Sequence, residues 1–160
     1  MLTQIYYSPD DLYTLEYPRT WDLEMYEHIP AFFDPMSGNG ALQVLAVDLH
    51  PSVIDQYQKE TLIKAYPYLS GEKLLDKMVI FLHMQEAVVE INSLKIYMHN
   101  DINFIPYEYV IQGRFYMTVL MEKNNIILLA VYNSANAPDK VDATIIGDMI
   151  KSIKIRSKED

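Results

Sequence analysis

Hydrophobic and polar positions alternate most clearly over residues 107–121. Tyr107, Tyr109, Ile111, Phe115, Met117, Val119 and Met121 fall on one side of the pattern, and Glu108, Gln112, Arg114 and Thr118 on the other. A period of two predicts a half-buried strand. Gly113 interrupts the run, which leaves two readings, one bulged strand or the turn of a hairpin. Residues 11–18 alternate in the same way, with Tyr13, Leu15 and Tyr17 on one face. Pro18 ends that strand, because proline cannot donate to a ladder. Residues 41–49 and 126–132 are apolar on both faces and predict strands deep in a sheet, with cover on each side. Further strands are predicted over 22–28 and 30–34, separated near Pro30. Strand-like pieces follow from about residue 87, carrying Val88, Val89, Ile91, Leu94, Ile96 and Met98. Turn formers punctuate the chain at 34–40, 99–101 and 122–125.

Helical spacing appears in three places. Ser52 is positioned as an N-cap with Asp55 three residues on, ahead of an apolar stripe of Ile54, Tyr57, Leu62, Ala65 and Tyr66 that Pro67 ends. Gly71 precedes a second helix with Leu74, Leu75, Met78, Val79 and Leu82 inward. Pro138 suits the first turn of a third, which carries Val141, Ile145, Ile146, Met149, Ile150 and Ile153 on one stripe and runs to Ile155. Residues 156–160 read as a frayed tail. The order is strands, two helices, strands, one helix, in a single domain over 1–160, and it predicts an α+β fold.

Two segments bracket the chain. Pro18-Arg19-Thr20-Trp21 forms a Pro-x-x-Trp corner after the first alternating strand, and Ser152-Ile153-Lys154-Ile155 closes the last helix. With the order of elements between them, they resemble the PsbP-like superfamily. That superfamily includes the photosystem extrinsic protein PsbP, the Ran-binding Mog proteins and bacterial DcrB-like proteins. The resemblance implies a bacterial member with a three-layer α/β/α sandwich around a mainly antiparallel sheet. It also implies a non-catalytic binder of other proteins. No functional residue carries over, because both motifs are structural, and a shared fold does not by itself carry function.

Composition narrows the function classes. The net charge is −9 and no Lys/Arg stripe is present, which argues against nucleic acid and anionic lipid as partners. No cysteine is present, so disulfides and thiolate chemistry are excluded. No window approaches ~18 consecutive apolar residues, so no membrane span is expected. The first ten residues lack a basic and an apolar region of the signal-peptide kind, and a cytoplasmic location is expected. Thirteen tyrosines suit sheet faces and interfaces.

Candidate chemistry is sparse. The four histidines are His28, His50, His83 and His99. Asp48 and His50 would share a face if the strand continued, but a metal needs a third ligand and none is evident. His83 reads as a partly buried helix-end residue. Ser37-Gly38-Asn39-Gly40 is a turn rather than a nucleophile elbow, and no glycine-rich phosphate loop is present. Glu16, Glu90, Glu108 and Glu122 are the acids on or near strands; Glu108, between two tyrosines, is placed beneath the helix layer. Trp21 reads as packing over the sheet edge, and Met78, Met117, Met121 and Met149 as core filling. No catalytic, cofactor-binding or metal-binding residue is assigned, and no cofactor is implied. The expected function is a non-enzymatic protein-binding or accessory module, with a client-specific chaperone as one form of it. The alternative is binding of a small apolar ligand between a helix layer and the sheet, and a hydrolase is third. Edge strands over 22–34 are candidates for a weak homodimer.

Overall fold

The computed structural model describes residues 1–157. A seven-stranded antiparallel sheet forms its centre, in the order β3-β4-β5-β9-β8-β7-β6. These strands are β3 (Asp22–Tyr26), β4 (Ile29–Phe33), β5 (Gly40–Asp48), β6 (Tyr97–His99), β7 (Ile102–Ile111), β8 (Arg114–Lys123) and β9 (Ile126–Ser134). The two doubly apolar runs are β5 and β9, which pair side by side in the interior of the sheet. One face is covered by α1 (Gln56–Ala65) and α2 (Leu74–Met84), joined by a 3₁₀ turn over Pro67–Ser70. The other is covered by α3 (Lys140–Lys151) and a small sheet of β1 (Thr3–Tyr7), β2 (Tyr13–Pro18) and β10 (Lys154–Ile155). The layers are α/β/α as expected, with the small sheet sharing the α3 layer.

Four hairpins close through two-residue turns in which both residues have positive φ: Glu27-His28, Asn100-Asp101, Gln112-Gly113 and Asn124-Asn125. Such turns match the right-handed twist of the strands they join. The first lies at Glu27-His28, and Pro30 sits inside β4. The third decides the reading of residues 107–121. They form a hairpin, with Ile111 opposite Arg114, Tyr109 opposite Tyr116 and Glu108 opposite Met117. A two-residue turn shifts the parity of the pattern. Tyr107, Tyr109 and Ile111 therefore face α2 with Tyr116 and Leu120, while Phe115, Met117, Val119 and Met121 face α3. The apparent single face is two opposite faces joined by the turn.

Five other expectations are corrected. The N-cap of α1 is Asp55, whose Oδ1 accepts from Gln58 N–H at 2.7 Å while Gln58 Oε1 accepts from Asp55 N–H at 2.8 Å. The apolar stripe of that helix enters the core only in part: Leu62 and Tyr66 pack against it half-buried, but no residue of α1 is fully buried and Tyr57 is 77% exposed. The segment from residue 87 is mostly irregular, with a 3₁₀ turn at Ile91–Ser93 and strand only at 97–99. Ala87 and Leu94 anchor it, Val88 is exposed, and the Tyr107 hydroxyl donates to Val88 O at 3.2 Å in place of a ladder. Finally, α3 ends at Lys151, and the residues read as its last turn become β10. Pro138 stands before the N-cap Asp139 rather than inside the helix.

The bracketing segments meet in space. Ser152 Oγ accepts from Glu16 N–H at 2.8 Å, and β10 pairs with β2 through Lys154–Thr14 and Ile155–Tyr13. Arg156 is not frayed: its N–H donates to Leu12 O at 2.8 Å and its guanidinium pairs with Asp48 at 3.0 Å. Residues 158–160 of the expected tail lie outside the described residues. The Pro18–Trp21 corner is a tight turn closed by Trp21 N–H to Pro18 O at 3.0 Å, and Trp21 is buried in the core on the α3 side.

Candidate functional site

An apolar cleft lies where α3 crosses the β7–β8 hairpin. Its floor is Phe104 and Pro106 of β7 with Met117 and Met121 of β8, and its wall is Gly147 and Ile150 of α3. The enclosed volume is ≈180 Å³. The parity shift builds this floor, because it sends the even-numbered positions of β7 and the odd-numbered ones of β8 to the same face. Helix α3 is held by Ile146 and Met149, both buried, and its first turn is capped by Asp139, whose carboxylate accepts from Asp142 N–H at 2.8 Å. Gly147 stands on the cleft side, and a Cβ built on it meets nothing within 4 Å. Open space therefore faces α3 at this position.

The C-terminal end of α3 is tied to the β6–β7 turn. His99 Nε2 lies 3.2 Å from Lys151 O and Asn100 Nδ2 lies 3.3 Å from the same oxygen. A carbonyl only accepts, so His99 Nε2 carries a proton. Beyond the cleft the α3 face of the sheet stays open toward its edge. Tyr97 stacks on Phe104 with ring centroids 5.6 Å apart and is 49% exposed, and Val110 is 66% exposed. The result is a strip running from α3 to the margin of the sheet, apolar except for Glu108 between Pro106 and Val110.

Other depressions include charged side chains. One, ≈730 Å³ between β1–β2 and α3, is lined mostly by apolar groups but includes Glu16, Lys140 and Asp148. A second, ≈400 Å³ beneath α1, includes Lys59, Glu72, Glu122 and the buried Lys77. The Lys77 ammonium is spent on the turn before α2, donating to Gly71 O at 2.7 Å and to Glu72 O at 3.4 Å. A third, ≈330 Å³, includes Asp48, His50, Ser52 and Arg156. There His50 Nδ1 accepts from Ser52 N–H at 3.1 Å, so it is unprotonated and the Ser52 hydroxyl at 2.6 Å is the donor to it. Asp48 turns away to Arg156 and to His50 N–H at 2.9 Å. The carboxylate does not orient the imidazole, and this is a loop-closing network rather than a nucleophile–base–acid relay.

The remaining sequence candidates are dispersed. His28 lies in the β3–β4 turn and His83 near the end of α2, where it is exposed rather than partly buried. Asp48 ends β5, so it and His50 do not share a strand face. Glu108 is exposed at the rim of the α3 face and not beneath a helix, because Tyr107 and Tyr109 point the other way. Glu122 lies on the opposite face of the sheet from Glu108. Glu16 and Glu90 sit on other elements, both exposed. Among the described residues no group of three or more His, Asp or Glu is placed to hold a metal ion. No helix among them is long and apolar enough to cross a membrane. Met117 and Met121 are the two methionines that serve the cleft as well as the core.

Tyrosines line both faces of the sheet. Tyr107, Tyr109 and Tyr116 form a ladder under α2, with centroids 6.1 and 5.4 Å apart, and Tyr109 shares a hydrogen bond of 2.9 Å with Thr118 Oγ1. Burial raises the phenol pKa of Tyr109, and more strongly those of Tyr13 and Tyr68. These are consequences of packing, and none of the three enters the cleft.

The layers and the cleft define a class: an antiparallel α/β/α sandwich with an apolar recess beside its C-terminal helix. The fold is PsbP-like. All of the chain aligns with 51% of a protein of known crystal structure from Bacteroides thetaiotaomicron VPI-5482, at a TM-score of 0.58 and 14% identity. The chain thus spans about half the length of that protein. The solution structure of cyanobacterial PsbP from Synechocystis sp. PCC 6803 aligns over 96% of this chain and 92% of its own, at a TM-score of 0.56 and 13% identity. A mutant of the protein Mog1 aligns over 99% of this chain and 98% of its own, at 0.48 and 8%. No protein-family model and no curated protein matches the sequence.

Proposed function

We propose that this chain is a non-enzymatic recognition module that seats an apolar anchor side chain of a protein partner in the α3/β7–β8 cleft. The observation that carries the reading is the cleft itself, ≈180 Å³ with apolar walls and an open, mostly apolar strip beside it. The volume of this cleft supports the first of the two expected occupants. Small-molecule sites run to about 300–1,000 Å³. A cavity of about 150 Å³ holds one benzene ring. The cleft therefore suits one aromatic or branched aliphatic side chain, and the strip from Tyr97 to Val110 takes the residues around it. The net charge of −9 favours a partner with basic residues flanking that anchor. The PsbP-like resemblance points the same way. The finer role, accessory subunit or client-specific chaperone, depends on which protein carries the anchor.

The test is selection of a displayed library of random peptides on the immobilised protein, repeated on Gly147→Leu, which fills the cleft from α3. Enriched peptides share one apolar anchor, bind wild type and lose binding to Gly147→Leu. In amide-resolved NMR they shift Phe104, Met117, Gly147 and Ile150. Peptides that bind both proteins equally, or that shift only residues outside this face, sink the reading.

A further inference from the structure

Among the described residues four strands end a sheet: β3 and β6 in the large one, β1 and β10 in the small one. An open edge presents unpaired N–H and C=O groups, and proteins commonly blunt it with charge or shortness. Strands β6 and β10 are only three and two residues long. Strand β3 carries Asp22 and Glu24. Strand β1 has neither protection. Residues 2–8 hold no charge, and Ile5 and Tyr7 are 48% and 66% exposed.

The flanking bonds set the phase of the edge. Ser8 N–H donates to Tyr13 O and Arg19 N–H to Leu2 O, each at 3.1 Å. Even-numbered residues therefore bond β2, and Thr3, Ile5 and Tyr7 direct their backbone groups outward. Of these, Thr3 O accepts from Arg19 Nε at 3.2 Å.

We propose that β1 is the seam of a twofold-symmetric homodimer, in which two copies pair antiparallel about Ile5 and continue the small sheet across the axis. Ile5 meets Ile5 of the second copy as a hydrogen-bonded pair, and Thr3 meets Tyr7. The charges at the two ends of the strand are opposite. Arg19 stands beside Leu2 at one end, and Asp10 and Asp11 follow Ser8 at the other. Antiparallel pairing sets Leu2 against Ser8 of the second copy, so each Arg19 comes beside the other copy's Asp10 and Asp11. Self-pairing of β3 centred on Leu23 or Glu24 does the reverse, setting Glu24 against Asp22 or against its own copy. In a chain of net charge −9 that difference favours β1 over these two registers of β3. The seam is separate from the cleft, and the two proposals stand or fall independently.

The experiment is sedimentation velocity from micromolar to near-millimolar protein, with circular dichroism of each variant. Wild type shows a concentration-dependent dimer. Ile5→Lys, which sets two ammonium groups at the axis, raises the dissociation constant at least ~10-fold with an unchanged spectrum. Arg19→Glu weakens the dimer, and combining it with Asp10→Arg and Asp11→Arg restores it. Glu24→Lys leaves association unchanged. A wild type that stays monomeric throughout overturns the proposal, and so does an Ile5→Lys protein that associates as wild type does. Should Ile5→Lys fail to fold, hydrogen exchange of the wild-type Ile5 amide decides. Protection that rises with concentration supports the seam, and protection independent of concentration refutes it.

Discussion

Gly147 is the eighth of the twelve residues of α3, a position where helices normally gain from a side chain. Replacing a glycine in a helix interior by alanine stabilises by about 0.8–1.0 kcal/mol, because the alanine chain loses less backbone freedom on folding. Two structural terms decide whether that gain is realised here. A clash would cancel it, but the new Cβ meets no atom within 4 Å. New packing would add to it, but open space adds nothing. Gly147→Ala is therefore expected to raise stability by about 1 kcal/mol through backbone entropy alone. For a chain of this length that is a rise in melting temperature of roughly 2–4 °C. Urea denaturation followed by far-ultraviolet circular dichroism measures it, with the m-value unchanged. Gly147→Leu tests the same space with a longer probe. Its side chain reaches across the cleft toward Met117, and the protein stays at least as stable as wild type. A loss of more than about 0.5 kcal/mol for the alanine variant, or a changed m-value, refutes the reasoning, since it means the cleft wall is closed or strained at this point.

Other consequences are equally direct. Gly113→Ala costs about 1 kcal/mol by urea denaturation, because φ there is +78° and its space is otherwise open, so strain is the whole effect. Asp48→Ala costs about 1–3 kcal/mol by the same assay, since it strands the Arg156 guanidinium and the His50 N–H, both of which the carboxylate accepts from. Tyr13 and Tyr68 have folded-state pKa values raised by burial, so their contribution is fully present below the unfolded phenol value of about 10 and is lost as pH rises above it. Absorbance at the phenolate band, titrated upward, is expected to show Tyr13 and Tyr68 ionising only as the protein unfolds. A single early transition for all tyrosines contradicts that burial.

Strand β5, strand β9, the inward face of β2 and the core side of α2 were legible in the sequence, because each buries residues at a period that the local chain itself displays. The turn chemistry of Asn100-Asp101 and Asn124-Asn125 was equally plain, since those residues tolerate positive φ. The layer order followed from the two doubly apolar strands, which need cover on both sides. Other features were set by distant parts of the chain. Gln112-Gly113 could be a bulge or a turn, and the choice rests on whether β8 finds β9 on its far side; only then does the parity shift send Met117 and Met121 to α3. Residues 152–155 have helical spacing, yet Ser152 caps α3 and bonds Glu16, and β2 draws Lys154 and Ile155 into a strand. The stripe of α1 predicts full burial, and the sheet beneath it half-buries Leu62 and Tyr66 while leaving Tyr57 exposed. The cleft belongs wholly to this second group. Its floor comes from two strands and its wall from a helix some thirty residues on, and its defining feature is a glycine whose missing side chain has meaning only against the surfaces opposite. Periodicity records which residues leave water, but an empty space between elements exists only once the elements have met.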